Sequence, residues 1–383
     1  MKRENTLMLT DLAADPATRE DPPDSVAPAQ PAEAPRIDFG ERVWRLRLGL
    51  HGPSLLIRAR PALTGAVAVL LIGVLAVAGM SMGSFALSPS EVLRTLLGQG
   101  TPKSELVVIS WRLPRVLMAI VIGGALGISG AIFQSLTRNP LGSPDIIGFN
   151  AGAYTGALVS MLLLGGGFVS TSIGAFAGGL ATAAVVYLLA FKRGVQGFRL
   201  IIVGIGISAM LGSINTWLII KADLHLAMMA AVWGSGTLNT AGWERAVPLL
   251  IISVLMVPVL MLLSRPLQGL EMGDDAAAAQ GIGTEPAKLW LLVVGVCLTA
   301  ICTAAAGPIA FVALAAPQIA RRMTGSGRVS MLSAGVFGAL LLLASDLIAQ
   351  HALAPIQMPV GVVTVSLGGM YLVWLLFREA KRS

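Results

Sequence analysis

The amino-acid sequence predicts an all-α integral membrane protein with about ten transmembrane helices, and three observations predict this class. Hydrophobic residues make up 55% of the 383 residues and charged residues only 12%, whereas a soluble domain carries about 25% charged residues. The hydrophobic residues gather in runs of about 20, the length that crosses a hydrocarbon core about 30 Å thick. Glycine occurs 44 times, which suits helices that pack in lipid through small faces.

The first 60 residues differ from the rest and are predicted to form a cytoplasmic N-terminal extension. Residues 1–40 begin with charges, are rich in Pro, Ala and Asp and contain no apolar segment, so they predict a disordered tail rather than a signal peptide. Residues 41–60 alternate Arg with Trp, Leu and Ile, which indicates a membrane-surface segment or a plain basic flank. A second unit, residues 61–383, then holds all the apolar runs.

These apolar runs define ten candidate spans in chain order. Each is long enough, or nearly so, to cross the membrane as a helix. The seventh and eighth spans meet at residues 306–308 with almost no loop between them, so a very tight hairpin is expected there. The ten spans cover residues 62–82, 114–134, 146–164, 168–191, 199–220, 247–264, 288–306, 308–322, 331–349 and 359–377.

The basic residues predict the direction of the spans. If the chain begins inside, 21 of the 27 Lys and Arg residues fall in cytoplasmic segments, as the positive-inside rule requires. Both termini are therefore predicted to be cytoplasmic, and the spans to form two inverted halves of five helices each. The six outer basic residues are Arg94, Lys103, Arg112, Arg115, Lys221 and Arg245.

The spans lack the residues that several function classes need. Ion-coupled carriers bury charged side chains that bind the coupling ion, but here Asp346 is the one acid inside a span. The three histidines lie in or beside loops, which excludes an HExxH protease, and Cys297 and Cys302 do not predict a metal site. The sequence contains no GxxxxGK[ST] phosphate loop, so the chain is not expected to hydrolyse ATP or to catalyse any reaction.

Several motifs carry a resemblance to a known family. They are WRLPRVLMAIVIGGALGISGAIFQSLTRNPLGSPDIIGFNAGAYTGA (111–157), LEMGDDAAAAQGIG (270–283), AGPIAFVALAAPQIARRMTG (306–325), SDLIAQ (345–350) and PVGVVTVSLGGMYLVWLL (359–376). Together they resemble the permeases of iron-siderophore and cobalamin ABC importers, and most of all the ferric-enterobactin permeases. The resemblance covers residues 62–383.

Residues 270–283 form the longest polar cytoplasmic loop between spans, and the resemblance implies that they couple the permease to an ATPase. Small alanines would permit close seating in a groove of the ATPase, and a glycine would permit the turn that follows. The alternative is an ordinary acidic loop helix. The candidate coupling residues are Glu271, Asp274, Asp275, Ala276, Ala277 and Gly281.

The resemblance also assigns residues to the two mouths of the permease. Arg112 and Arg115 would dock acidic residues of a substrate-binding protein, since a guanidinium can hold a carboxylate with two hydrogen bonds; the alternative is a lipid-headgroup anchor. Where relatives often carry a further outer arginine, this chain has Gln350. At the inner mouth, a gate would be formed by Asn139, Pro140 and Leu141, unless this Asn-Pro sequence is a plain turn.

Polar residues inside the third and fifth spans are candidates for lining the transport path. Ser, Thr and Asn in spans also serve as hydrogen-bonding links between helices, so both interpretations stay open for each of them. The candidates are Asn150, Tyr154, Ser208 and Asn215, with Thr216 beside the last.

The resemblance implies the permease subunit of an ATP-driven ferric-siderophore importer in the inner membrane of a bacterium, with a catecholate chelate as cargo. It implies as partners a second permease subunit (a related chain or a second copy), two ATPase subunits and an extracytoplasmic substrate-binding protein. Membrane lipid is also expected to contact the chain and nucleic acid is not, and ATP and Mg²⁺ would be used by the ATPase while this chain binds no cofactor. The alternatives are an ABC permease for haem or cobalamin, or an ion-coupled secondary carrier.

Overall fold

The computed structural model of the chain describes residues 43–47, 54–165, 167–191 and 196–380. The predicted tail, residues 1–40, lies outside these ranges. The described chain begins with two antiparallel strands, β1 (Val43–Arg47) and β2 (Ser54–Arg58), in which Val43 pairs with Arg58 and Arg47 with Ser54. The sequence analysis did not predict this pairing. All further regular elements of the described residues are helices.

Ten of the fourteen described α-helices coincide with the predicted spans. Most boundaries agree within a few residues, and the largest difference is at the sixth span, which is longer at both ends. These helices are α1 (Ala59–Ser81), α4 (Leu113–Thr137), α5 (Phe149–Leu163), α6 (Phe168–Ala190), α7 (Gly197–Lys221), α9 (Trp243–Glu271), α11 (Thr284–Ala306), α12 (Val312–Thr324), α13 (Met331–His351) and α14 (Val360–Ala380).

Four shorter helices and a π-helical segment connect the long ones. The π-helical segment, Leu106–Arg112, leads directly into α4. The four helices are α2 (Pro89–Leu96), α3 (Pro102–Glu105), α8 (Leu224–Gly234) and α10 (Asp274–Ala279).

Seven stretches of the described chain are long and apolar enough to cross a membrane: α1, residues 102–137, α6, α7, α9, α11 and α13. The shorter apolar helices are α5, α8 and the first 15 residues of α14. Helix α12 has 13 residues, or about 20 Å at 1.5 Å per residue, less than the thickness of a hydrocarbon core. The chain is a multi-pass membrane protein, while the count of ten spans and the direction of the termini stay predictions.

The helix bundle has two distinct ends, which α4 connects. Beside the start of α4, Arg112 donates a hydrogen bond to the carbonyl of Met80 in α1; we call this the α2 end, because α2 lies in the same loop. Beyond the last residue of α4, Arg138 donates to the carbonyl of Leu270, just before α10; we call this the α10 end. The start of α1 and the last turns of α14 both lie beside the C-terminus of α12, because Arg60 donates to the Arg322 carbonyl and Arg322 stacks on Trp374. If the chain crosses the membrane an even number of times, the start of α1 and the end of α14 must lie on the same side, and the two contacts agree with this.

Small residues set the closest helix contacts, as the glycine content predicts. A Cβ atom on Gly123 or Gly127 of α4 would overlap backbone atoms of α13, and one on Gly338 of α13 would overlap α4. Helices α5 and α6 meet in the same way at Gly156 and Gly178. These contacts explain why the bundle tolerates so much glycine inside helices.

The eighth predicted span begins later than expected, which corrects the tight hairpin predicted at residues 306–308. Residues 307–311 are not helical, and α12 begins at Val312. Pro308 has no backbone N–H to donate, and Gly307 and Phe311 have positive φ angles of 75° and 68°, so a helix cannot continue through this segment. The break lies inside the protein, where Ile309 and Val312 are buried in the main core.

Candidate functional site

The predicted coupling loop forms a short helix at the α10 end. Gly273 and Gly281, with φ angles of 115° and 79°, bracket α10 and supply conformations that other residues rarely adopt. Ala277 is fully buried against the bundle, and its carbonyl accepts a hydrogen bond from the Ile282 amide at 3.0 Å. The inner face of α10 is therefore fixed to the protein.

Asp274 ties α10 to two other helices. Its carboxylate accepts hydrogen bonds from Arg138 Nη2 at 2.7 Å, at the end of α4, and from Lys288 Nζ at 2.8 Å, in the first turns of α11. The hydrogen bond from Lys288, with the two positive charges, holds the pKa of Asp274 below its ordinary value. The roles of Arg138 and Lys288 were not predicted, because spacing along the chain does not reveal which cations converge on one acid.

The six predicted coupling residues divide into two groups. Glu271 is directed into the protein, where Oε1 accepts hydrogen bonds from Ser135 Oγ at 2.8 Å and from the Val329 amide at 3.3 Å. With Asp274 and Ala277 it forms the base of α10, and Ala276 is half-buried. Asp275 and Gly281 are exposed, and they lie on the surface that a partner could contact.

The predicted inner gate lies close to α10. Asn139 Oδ1 accepts a hydrogen bond from the Leu141 amide at 2.9 Å, which forms the turn that an Asn-Pro sequence favours. Gln318 Nε2, from α12, donates to the Pro140 carbonyl at 3.2 Å, and the Leu141 side chain is exposed. The loop is thus a turn held against α12, and its gating role stays a prediction.

The two predicted docking arginines differ in their surroundings at the α2 end. Arg115 donates to both carboxylate oxygens of Asp346, with Nη2 2.9 Å from Oδ1 and Nε 3.0 Å from Oδ2, and also to Asn239 and Gln357. Arg112 donates to the backbone carbonyls of Met80 and Phe85. The charge of Arg115 is therefore compensated by a carboxylate, and that of Arg112 by carbonyl dipoles.

The candidate path residues mostly link helices. Asn150 donates to Asp145 at 2.6 Å and accepts from Thr303 Oγ1 at 3.1 Å. Asn215 accepts from Thr155 Oγ1 at 2.7 Å.

The other candidates have different surroundings. Tyr154 donates to the Ala230 carbonyl and stacks on Trp233 in α8. The Ser208 hydroxyl is enclosed and without a hydrogen-bond partner, next to Gly148, while Thr216 bonds to its own helix. Of these residues, Ser208 is the one with free hydrogen-bonding capacity.

Asp145 is a residue that the sequence analysis missed. Its carboxylate accepts hydrogen bonds from Asn150 Nδ2 and, at 3.1 Å, from the Phe311 amide at the start of α12. It thereby joins the loop after α4 to the break between α11 and α12. The Ser-Pro-Asp sequence directly before an apolar run was the available signal, but an acid at a helix start usually indicates only a cap.

The described residues contain no group of three or more His, Cys, Asp and Glu side chains that could hold a metal ion. Cys302 is buried in the main core and Cys297 is half-buried. Among the described residues, Asp346 and Asp274 each form an ion pair with an arginine, and they lie at opposite ends of the bundle.

Comparison with known proteins decides the family. The model of the FecCD transport family matches residues 69–378, most of the chain. The chain belongs to this family. The resemblance inferred from the motifs, to iron-siderophore permeases of ABC importers, is thereby confirmed.

Relatives of this FecCD member are transport permeases, and the matches cover nearly their whole length. The chain is 51% identical over 304 residues to the ferric enterobactin transport system permease protein FepG of Escherichia coli (strain K12), which covers 79% of the chain and 92% of FepG. It is 35% identical to the iron(3+)-hydroxamate import system permease protein FhuG of Bacillus subtilis (strain 168), over 83% of the chain and 98% of FhuG. It is 34% identical to the hemin transport system permease protein HmuU of Yersinia pestis, over 85% of the chain and 98% of HmuU.

The fold also matches a solved structure. An ABC transporter described as of the metal-chelate type, in an inward-facing conformation, superposes with a TM-score of 0.71 over 83% of this chain and 99% of the other. The two sequences are 24% identical, so this match supports the fold alone.

Proposed function

We propose that this FecCD member is the permease subunit of an ATP-driven importer of a ferric siderophore, with a catecholate chelate such as ferric enterobactin as its cargo. The observation that carries the proposal is the 51% identity to FepG, against 35% or less to the hydroxamate and hemin permeases quoted above. Differences of this size within one family support a shared cargo class. The membrane would be the inner membrane of a bacterium.

The proposal includes three kinds of protein partner. Two ATPase subunits would bind ATP and Mg²⁺ and supply the energy, while this chain binds neither. A second permease subunit, a related chain or a second copy, would complete the pore, and a substrate-binding protein would deliver the chelate. The exposed Asp275 on α10 and the exposed Gly281 just beyond it support contact with an ATPase, because the inner face of α10 is already fixed by Asp274 and Ala277.

Docking of the binding protein would use the α2 end. Arg112 is the better candidate of the two arginines, because its guanidinium is bonded to neutral carbonyl groups and not to a carboxylate, so an acidic side chain of a partner could still pair with it. Arg115 already holds Asp346, so it would support the docking surface from below. This division refines the prediction that both arginines dock alike.

The transport cycle would then connect the two ends. Delivery of the chelate at the α2 end, followed by ATP binding at the α10 end, would swing the helices that α10 contacts. Arg138 follows α4, precedes the gate residue Asn139 and bonds to Asp274, so movement of α10 would pull directly on the gate loop.

Haem is the second candidate cargo, supported by the 34% identity to HmuU; cobalamin belongs to the same alternative. The deciding experiment is uptake into proteoliposomes that contain this chain with its partner permease, ATPases and binding protein. We expect ATP-dependent uptake of ferric enterobactin and none of haem or cobalamin. Uptake of haem or cobalamin in preference to the ferric chelate would refute the cargo assignment.

A further inference from the structure

Two neighbouring cavities lie near the α2 end of α6 and α9, and they share two residues, Phe168 and Arg245. One is a cavity of about 470 Å³ with polar side chains in its wall, which we call the polar cavity; the other is a cavity of about 390 Å³ with an almost entirely apolar wall, which we call the apolar trough. The polar residues of the polar cavity are Thr171, His225, Thr237, Thr240 and Arg245.

The apolar trough runs along the side of the bundle. Leu249 and Ala305 are buried at its base, whereas Val169 and Ile173 at its rim are 66% and 63% exposed. These two residues belong to α6, a helix with the length and hydropathy of a membrane span. The trough therefore opens toward the hydrocarbon of the membrane, where an acyl chain is the solvent.

Arg245 stands where the two cavities meet. Its guanidinium carbon lies 4.5 Å from the centre of the Phe168 ring, and Nη1 donates a hydrogen bond to Thr240 Oγ1. The ion pairs of the described residues do not include Arg245; the adjacent Glu244 is exposed, and its carboxylate acts on Arg245 only through the electrostatic field. A positive charge that is held in place with no carboxylate hydrogen-bonded to it can take an anionic ligand.

Thr171 gives an independent indication of a ligand. Its side chain is 4% exposed and lines the polar cavity, and its hydroxyl has no hydrogen-bond partner in the structure. Buried hydroxyl groups are nearly always hydrogen-bonded. A ligand with oxygen atoms in the polar cavity would satisfy this hydroxyl and the cation together.

We propose that these cavities bind one phospholipid, with its phosphate group in the polar cavity beside Arg245 and an acyl chain in the apolar trough. Free phosphate shares the chemistry of the headgroup, but it would leave the trough empty. The combination of a fixed cation, an unsatisfied hydroxyl and a contiguous apolar channel that opens to the membrane matches an anionic phospholipid such as phosphatidylglycerol. The inference does not depend on which chelate the protein transports.

The test is native mass spectrometry of the full-length chain, released from nanodiscs that contain phosphatidylglycerol. We expect one retained phospholipid on the wild type and a roughly tenfold lower retention in Arg245→Gln, which removes the cation, and in Ile173→Gln, which makes the trough polar. Matched controls are Arg94→Gln, another arginine at the α2 end, and Leu188→Gln, an exposed leucine of α6 outside the trough. Both controls should retain the lipid as the wild type does.

Competition distinguishes the possible ligands. Inorganic phosphate at millimolar concentration should not displace the lipid, whereas added phosphatidylglycerol should refill the site of a delipidated sample. Equal lipid retention by the wild type and both site variants would overturn the proposal. So would displacement of the lipid by inorganic phosphate alone, or by a ferric catecholate, since the second result would assign the cavities to the transport path.

Discussion

Arg115 and Asp346 form the most enclosed ion pair of the described residues, and their environment determines what each can do. The Asp346 side chain is 1% exposed and accepts hydrogen bonds from Arg115 and from Gln350. Removing one partner of a buried pair leaves the other charge without compensation, which costs more than the pair contributes. Asp346, the one acid inside a predicted span, is therefore part of a structural ion pair at the α2 end.

The first prediction concerns the stability of this pair. Asp346→Asn and Arg115→Gln should each lower the free energy of unfolding by about 3 kcal/mol, because each leaves one buried charge unpaired. The double variant should lose less than the sum of the two losses. Thermal unfolding of the purified protein in one detergent measures all three. Strict additivity of the two losses would show that the two residues do not interact in the purified protein.

The second prediction concerns docking. Arg112→Glu should weaken binding of the substrate-binding protein by about 2–5 kcal/mol while basal ATPase activity of the assembled transporter stays unchanged. Lys221→Glu, a charge reversal at the far end of α7, is the matched control and should bind normally. Affinity is measured on the complete transporter in nanodiscs. If Arg112→Glu binds as tightly as the control, Arg112 is only a helix anchor.

At the scale of elements, α10 combines a fixed inner face with a free outer one. Its length of six residues gives it little stability of its own, since a single turn rarely forms alone. The hydrogen bonds of Asp274 and the buried Ala277 hold it instead. A short helix that is held in this way can transmit a movement of a partner protein to α4, α9 and α11.

The third prediction tests the role of α10 in coupling by a substitution of Gly281. Its φ angle is 79°, and a Cβ atom built there meets nothing within 4 Å, so a side chain would leave the backbone into open space, at the cost of backbone strain, and would obstruct a partner. Gly281→Trp should reach the membrane in normal amount yet lose uptake and the ATPase activity stimulated by the binding protein. Gly281→Asn is the control, because Asn tolerates positive φ better than other residues. Normal uptake by the Trp variant would remove α10 from the coupling mechanism.

The fourth prediction follows from the lowered pKa of Asp274. Because its pKa is lower in the folded than in the unfolded chain, Asp274 stabilises the fold above its unfolded pKa of about 4, and this contribution disappears as pH falls through the folded value. Asp274→Asn should therefore be less stable than the wild type at neutral pH and converge with it in acid. Melting temperatures of both proteins across the acid range measure this. A constant difference down to the lowest pH would contradict it.

The long helices were predicted from the sequence more accurately than the short ones. The long apolar runs predicted α1, α4, α6 and α13 closely, because a span has a fixed minimum length. Helix α8 was missed since its 11 residues are too few to be recognised as a span. The start of α12 was misplaced because the break depends on Phe311, whose positive φ no sequence pattern announces.

Features of the candidate site that depend on neighbouring residues in the sequence were predictable. Contacts between residues far apart in the sequence were not. Asn139 and Gly281 adopt the turns that their types favour. The pairing of Arg115 with Asp346 joins positions 231 residues apart, and the link from Asp145 to Phe311 joins positions 166 apart. A motif names such residues, but only the packing of α4 against α13, or of the gate loop against α12, shows their partners.

At the scale of the whole molecule, α7 stands out for its weak attachment. Of its 25 residues only Leu200, Gly204 and Asn215 are buried, and most of its exposed side chains are apolar. A membrane span with so little internal contact is covered either by lipid or by another subunit. This suits a chain that works as one part of an assembly, as the proposed importer requires.

The last prediction concerns the source of energy for that assembly. A carrier that works alone would use an intramembrane carboxylate as its proton site, and Asp346 is the obvious candidate. In the structure both oxygens of this carboxylate already accept hydrogen bonds from the Arg115 guanidinium, so its position is that of a structural ion pair. Uptake by the complete complex in proteoliposomes should therefore require ATP on the side of the membrane that corresponds to the cytoplasm. An imposed proton gradient should neither drive the uptake nor change its rate.

Asp346→Asn provides the decisive comparison for this prediction. If the carboxylate is structural, the variant keeps ATP-dependent uptake at a reduced rate, because a less stable α2 end docks the binding protein less well but the coupling at α10 is intact. Arg112→Gln serves as a control that weakens docking without touching the acid. Uptake that runs on the proton gradient without ATP in the wild type, and disappears in Asp346→Asn, would instead make this chain a secondary carrier and Asp346 its proton site.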